Sequence, residues 1–109
     1  MNDFIEEIDK EYPGILSDPL CASWVGEGWQ PIVWGLCGMI AAANKEYQDN
    51  ENVPQIKIDQ IKEKFGQLRF YTTLLHDKFD YISRAIISAE IMSIYVCEGT
   101  GKAKKGIVK

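Results

Sequence analysis

The chain has 109 residues, 46% of them apolar and 26% charged, which is the composition of one globular domain and not of a disordered tail or a fibre. No apolar run approaches the roughly 20 residues that a membrane span needs, so no membrane partner is expected. The net charge of −4 is split, with ten acids against two lysines in residues 1–55 and ten bases against six acids in residues 56–109, so any attraction to nucleic acid must come from a local basic surface.

Residues 3–11 read as a short helix, with Phe4, Ile5 and Ile8 at helical spacing and acids on the remaining face. Asn2 or Asp3 can cap it, and Pro13-Gly14 ends it. The acidic start lacks the basic and apolar regions of a secretory signal, and three unpaired cysteines suit a reducing compartment, so a cytoplasmic location is expected. Residues 13–27 form a loop that Ile15, Leu16, Leu20 and Trp24 pin to the core. At its end, Gly26-Glu27-Gly28 precedes a helix start, where free N–H groups can hold an anion, although a simple turn also explains the glycines.

The second helix is carried by Trp29, Ile32, Val33, Leu36, Cys37 and Ile40, one apolar stripe of period 3.6. Pro31 suits its first turn and Pro54 bars its continuation. Cys37 falls on the stripe and reads as a small core residue. Trp34 falls off it and is a candidate contact anchor, while Trp24, Trp29 and Trp34 together help close the core.

From Gln55 the period changes to two. Residues 56–73 read as a β-hairpin around Gly66, with Lys64 opposite Gln67, Glu63 opposite Leu68, Lys62 opposite Arg69 and Ile61 opposite Phe70. Ile61, Leu68 and Phe70 then face the core, and Lys62, Lys64, Arg69 and Tyr71 form the other face. A two-residue turn requires positive φ, which suits Gly66 and not Phe65, so a longer bulged loop is the alternative. Ile56 and Ile58 lie out of register with Ile61, which places a bulge near Asp59-Gln60.

The last helix is expected from Phe79 to Val96, with Asp77 as its cap. Phe79, Ile82, Ala85, Ile86, Ala89, Met92 and Val96 form a broad apolar stripe, and Ile87, Ile91 and Ile94 form a second. Such a helix is either sandwiched between layers or offers its second stripe to a partner, a homodimer through this helix included. The fold class expected is α+β: a short helix, a long helix, a hairpin and a long helix in a single domain over residues 1–98, followed by a flexible basic tail over 99–109.

Reactive constellations are sparse. Catalysis by a Cys–His pair would need His76 near Cys21, Cys37 or Cys97 with an orienting carboxylate, and no flanking motif supports it, so the chain reads as a non-enzyme without a cofactor. The same four residues could in number ligate zinc, yet no C-x-x-C pair is present and no metal site is assigned. Lys62, Lys64, Arg69 and Tyr71 are the candidate anion or nucleic-acid face, pairing phosphate-binding cations with a stacking ring. A solvated strand face, or one neutralised by the acidic first helix, is the plain alternative.

Two stretches carry a resemblance. Glu27-Gly28-Trp29 with the helix Ile32 to Ile40 resembles a D-G-W-x-x-L-I-x-x-L-C segment, and Gln60 to Tyr71 resembles a Q-V-K-E-K-F-G-G-L-R-F-Y segment. Both are similar to a family of small uncharacterised bacteriophage and prophage proteins, over residues 24–100. Many members continue into C-E-x-C-G, a zinc-ribbon-like half site. Here Cys97 is kept and Thr100 stands at the second cysteine, so no zinc ligands carry over. The resemblance implies a viral accessory protein in a bacterium. The expected action is binding a host bacterial protein, an inhibitor of a bacterial defence system being one form of it. Ile87, Ile91, Ile94 and Trp34 are the candidate contact residues, with a nucleic-acid module on the basic hairpin face and lysine tail as the alternative.

Overall fold

A computed structural model describes residues 3–18, 25–73 and 76–104. Helix α1 (Asp3–Glu11) buries Phe4, Ile5 and Ile8. A single 3-10 turn (Glu27–Trp29) leads into α2 (Gln30–Glu46), where Pro31 sits in the first turn and costs no hydrogen bond. Strands β1 (Lys57–Lys64) and β2 (Gln67–Thr73) form an antiparallel hairpin, followed by a second 3-10 turn (Asp77–Phe79) and α3 (Asp80–Ser93). The architecture is α+β, as the sequence periods require.

The hairpin register matches the expected pairs, from Ile61 with Phe70 to Lys64 with Gln67. The register shifts between Ile58 and Gln60, which makes Asp59 the extra residue of the bulge. Its carboxylate accepts from the hydroxyls of Ser17 and Thr73, so the bulge fastens the loop after α1 to both strands. The turn is the two-residue form: Phe65 (φ 56°) and Gly66 (φ 75°) both occupy the left-handed region, which matches the twist of the strands. Phe65 thus adopts the backbone that its bulk disfavours.

The core lies between α2 and the inner face of the hairpin, closed by α1 and α3. It gathers Ile5, Ile8, Trp29, Val33, Cys37, Ile40, Ile58, Ile61, Leu68, Phe79 and Ile82, all but free of solvent contact. Ile15 and Leu16 are buried as expected, and Leu16 bridges Ile58 in parallel, with Ile58 N–H donating to the Ile15 carbonyl at 2.8 Å. Asn44, near the end of α2, donates to the Ile56 carbonyl (2.9 Å) and accepts from the Ile56 N–H (2.7 Å), which ties the helix to the chain entering β1. Trp24, Leu20 and Cys21 lie outside the described residues.

Four expectations are corrected. Helix α3 starts at Asp80 and ends at Ser93, not Val96; Asp77 does not cap it but opens the 3-10 turn ahead of it, which His76 caps with Nδ1 accepting from Lys78 N–H. Met92 is exposed and Ser93 is buried in its place. The reason is the open edge of β2, whose Leu68 N–H donates to Ser93 Oγ (2.8 Å) and whose Phe70 N–H donates to Glu90 Oε2 (2.9 Å). Helix α3 rotates its two polar residues onto that edge, because buried N–H groups left unpaired are costly. Trp34 keeps the partial exposure that its place off the stripe implies, with its ring centroid 6.2 Å from that of Phe4 and 5.5 Å from that of Tyr12. Finally, the chain from Gly99 to Lys104 is hydrogen-bonded and not a loose tail. Val96 bridges Ala103, Cys97 N–H donates to the Lys102 carbonyl (2.8 Å), and Lys104 N–H donates to the Tyr95 carbonyl (2.8 Å).

Candidate functional site

The loop Gly26-Glu27-Gly28 does hold an anion, and the anion is part of the chain. Gly26 N–H donates to Glu98 Oε2 at 2.8 Å and Gly28 N–H to the Glu98 carbonyl at 2.6 Å. A Cβ on Gly28 would collide with the Cys97 carbonyl and with Gly101 N, so the two segments approach as only glycine allows. Trp29 Nε1 donates to the Val96 carbonyl (2.9 Å) beside this contact. The turn before α2 and the segment after α3 are thereby clasped together. Cys97 lies in the clasp turn, and hydrogen bonds from the Thr100 hydroxyl and from the N–H groups of Thr100 and Gly99 hold its thiol below the ordinary range. Thr100 serves Cys97 as a hydrogen-bond partner through both its hydroxyl and its N–H.

Residues weighed for chemistry are kept apart in role. Cys37 is fully buried on α2, and burial pushes its thiol up to about 12, a state unsuited to nucleophilic work. His76 is engaged as the cap before α3, 3.2 Å from Asp77. Among the described residues no group of three or more His, Cys, Asp or Glu is placed to hold a metal ion. A cleft of about 340 Å³ lies between the end of α1, α2 and the start of β1. Its Asn44 and Lys57 side chains are bonded to Ile56 and to the Gly14 carbonyl.

The second stripe of α3 lies open. Ile87 is 53% exposed and Ile91 51%, while Ile94 is half-buried; the helix is not sandwiched. Met92 (57%), Tyr81 and Tyr95 extend the exposed apolar face beyond what the periodicity showed. Met92 also lines a groove of about 550 Å³ between α2 and α3, together with Pro31, Ile32, Met39, Ala85 and Ser88, floored in part by Gly35. A Cβ on Gly35 would meet nothing, so the groove is open at that point. Sequence periodicity found Ile87 and Ile91 but not Met39 or Gly35, whose exposure depends on how far α2 and α3 splay apart.

The basic hairpin face is also real as geometry. Lys62 and Arg69 pair across the strands, Lys64 is exposed beside them, and the Lys62 ammonium lies 5.6 Å from the centroid of the Tyr71 ring. Among the described residues no carboxylate lies within ion-pair distance of Lys62, Lys64 or Arg69, so α1 does not neutralise the face. The nearest acid in sequence, Glu63, points its carboxylate at Gly66 N–H (2.7 Å). Comparison with protein families, with curated proteins and with solved structures returns no match.

Proposed function

We propose that this chain is a small binding protein that seats an apolar segment of another protein on α3 and in the α2–α3 groove. In the phage setting that the motif resemblance implies, the partner is a host bacterial protein, and a component of a defence system is the class of target such an accessory protein would serve. The observation that carries the reading is the set of exposed apolar side chains on α3, Ile87 and Ile91 on one side of Arg84 and Ser88 and Met92 on the other, with Met39 and the groove beside Gly35 next to Met92. Surfaces of this kind suit an amphipathic helix laid into a groove, with methionines adjusting to its side chains. A solvent-exposed Ile91 or Met92 does nothing for the fold that a polar residue could not do, whereas a partner would bury it.

Affinity capture from bacterial lysate tests this, with the double variant Ile91→Asp, Met92→Asp as the matched control. The wild type should retain one partner that the double variant loses, while both unfold at similar temperatures. Equal capture by both proteins would falsify the assignment. A second copy of the chain as the retained partner, seen as a dimer by sedimentation that the variant abolishes, would replace the host protein by self-association.

A further inference from the structure

The hairpin carries three local costs. Phe65, a bulky residue, holds a left-handed φ of 56° and is 89% exposed at the tip. Lys62 stands opposite Arg69, a like-charge pair across the ladder. Arg69 Nε is shielded from solvent and has no hydrogen-bond partner among the described residues. Any one of these is unremarkable, but together, within one two-stranded finger, they mark a surface shaped for something outside the fold.

The chemistry of that surface is specific. Lys62 and Lys64 project from the same face two residues apart, roughly 7 Å along the strand, and Arg69 sits about 5.5 Å across from Lys62. Three cations without carboxylate partners therefore form a compact patch suited to successive phosphates. Aromatic rings alternate with them: Tyr71 lies under Lys62, and Phe65 lies under Lys64 with 5.7 Å from ammonium to ring centroid. Cations track a backbone, and rings accept the flat faces of unpaired bases. In a duplex the base faces are stacked and closed to such rings, and the rest of this acidic chain repels a long polyanion.

We infer that the β1–β2 hairpin is a finger for single-stranded nucleic acid, with phosphates on Lys62, Lys64 and Arg69 and bases stacked on Phe65 and Tyr71. An anionic membrane surface would also attract lysines beside a tip phenylalanine. Tyr71 argues against that, since it lies mid-strand among the cations and not at the tip where a bilayer would be met. The finger is separate from the α2–α3 groove, and either surface can fail without the other.

Anisotropy of a short labelled oligothymidine, titrated over a range of salt, is the test. For three phosphate contacts the slope of log K against log salt should be about −2. The triple variant Lys62→Gln, Lys64→Gln, Arg69→Gln should flatten that slope toward zero. Phe65→Asn should weaken binding roughly 5- to 150-fold, the factor one base stack is worth, with the slope unchanged. Asparagine tolerates the left-handed turn, so this variant folds at least as well as the wild type, and its weaker binding cannot be ascribed to misfolding. Absence of binding at low salt, equal binding by the Phe65→Asn protein, or equal binding of polyglutamate would each overturn the inference. Tighter, Phe65-dependent binding to vesicles containing phosphatidylglycerol would reassign the finger to membranes.

Discussion

Two turns of this chain contrast, one set apart by how closely its segments approach and the other by its backbone geometry. At the clasp, Gly26 and Gly28 lie against Glu98 and Cys97 where no side chain fits, and the N–H groups of both glycines are bonded to Glu98. At the hairpin tip, a phenylalanine occupies a backbone conformation that suits glycine or asparagine, with its ring in water. The clasp obeys each local rule of steric fit and polar satisfaction, as a joint serving only stability should. The tip breaks the rules of turn chemistry, apolar burial and charge pairing at once. A fold keeps such a segment only if the surrounding ladder over-determines it, which the seven paired positions of the hairpin do here. Where the chain serves its own fold and where it faces outward are therefore separable by their local costs.

Breaking the clasp should have the largest effect. Gly28→Ala forces a methyl group against backbone on two sides, which side-chain adjustment cannot relieve, and should cost about 3 kcal/mol in chemical denaturation. It should also return Cys97 to ordinary thiol behaviour, seen as slower alkylation near neutral pH, because the hydrogen bonds that favour its thiolate depend on the turn. Ser93→Ala comes next. It leaves Leu68 N–H without a partner in a buried setting and should cost about 2 kcal/mol, while Ser88→Ala on the open side of α3 should be nearly neutral.

Alkaline pH probes the same well-satisfied half through Cys37. Its folded-state value is raised from 9.0 to about 12, so the unfolded chain ionises first. The stability it confers is fully present below pH 9 and is lost as pH rises between 9 and about 12, at up to about 1.4 kcal/mol per pH unit. Unfolding free energies measured across that range should fall less steeply in Cys37→Ala than in the wild type. Equal slopes would mean that the thiol reaches water in the folded state.

Most of the fold was legible in the sequence because its signals are short-range. The hairpin register follows from period-two alternation around Gly66, and the bulge from Ile56 and Ile58 lying out of step with Ile61. The α2 stripe follows from the spacing of Trp29, Val33, Leu36, Cys37 and Ile40. What escaped depends on partners distant along the chain. Ser93 is buried because β2 presents unpaired N–H groups to α3, and the segment after Cys97 is ordered because Glu98 reaches Gly26, 72 residues away. The particular partners of Trp34, Phe4 on α1 and Tyr12 just after it, also depend on chain distant in sequence. For the surfaces, the second stripe of α3 announced Ile87 and Ile91, while the groove beside Gly35 needed the helix–helix geometry. The Phe65 misfit pointed only to a longer loop, and the sequence's one local hint of an anionic partner for the hairpin was the like-charge pair Lys62 and Arg69.

The smallest expected change has the opposite sign to the others and sharpens the comparison. In Phe65→Asn the turn becomes Asn-Gly, the pairing that two-residue hairpin turns favour most. Removing the phenylalanine relieves the cost of a bulky residue at positive φ and withdraws an exposed ring from water, while Gly66 N–H keeps its bond to Glu63. The gain should be about 1 kcal/mol, a rise in Tm of roughly 5 °C for a domain of this size. Phe65→Gly should gain less, because glycine adds freedom to the unfolded chain that asparagine does not. Stabilisation by both, in the order Asn above Gly, means that the wild-type residue is held at the tip against the preference of the fold. Destabilisation by both would show the ring making a contact that supports the hairpin, and the tip would then belong with the clasp as a joint serving only the fold.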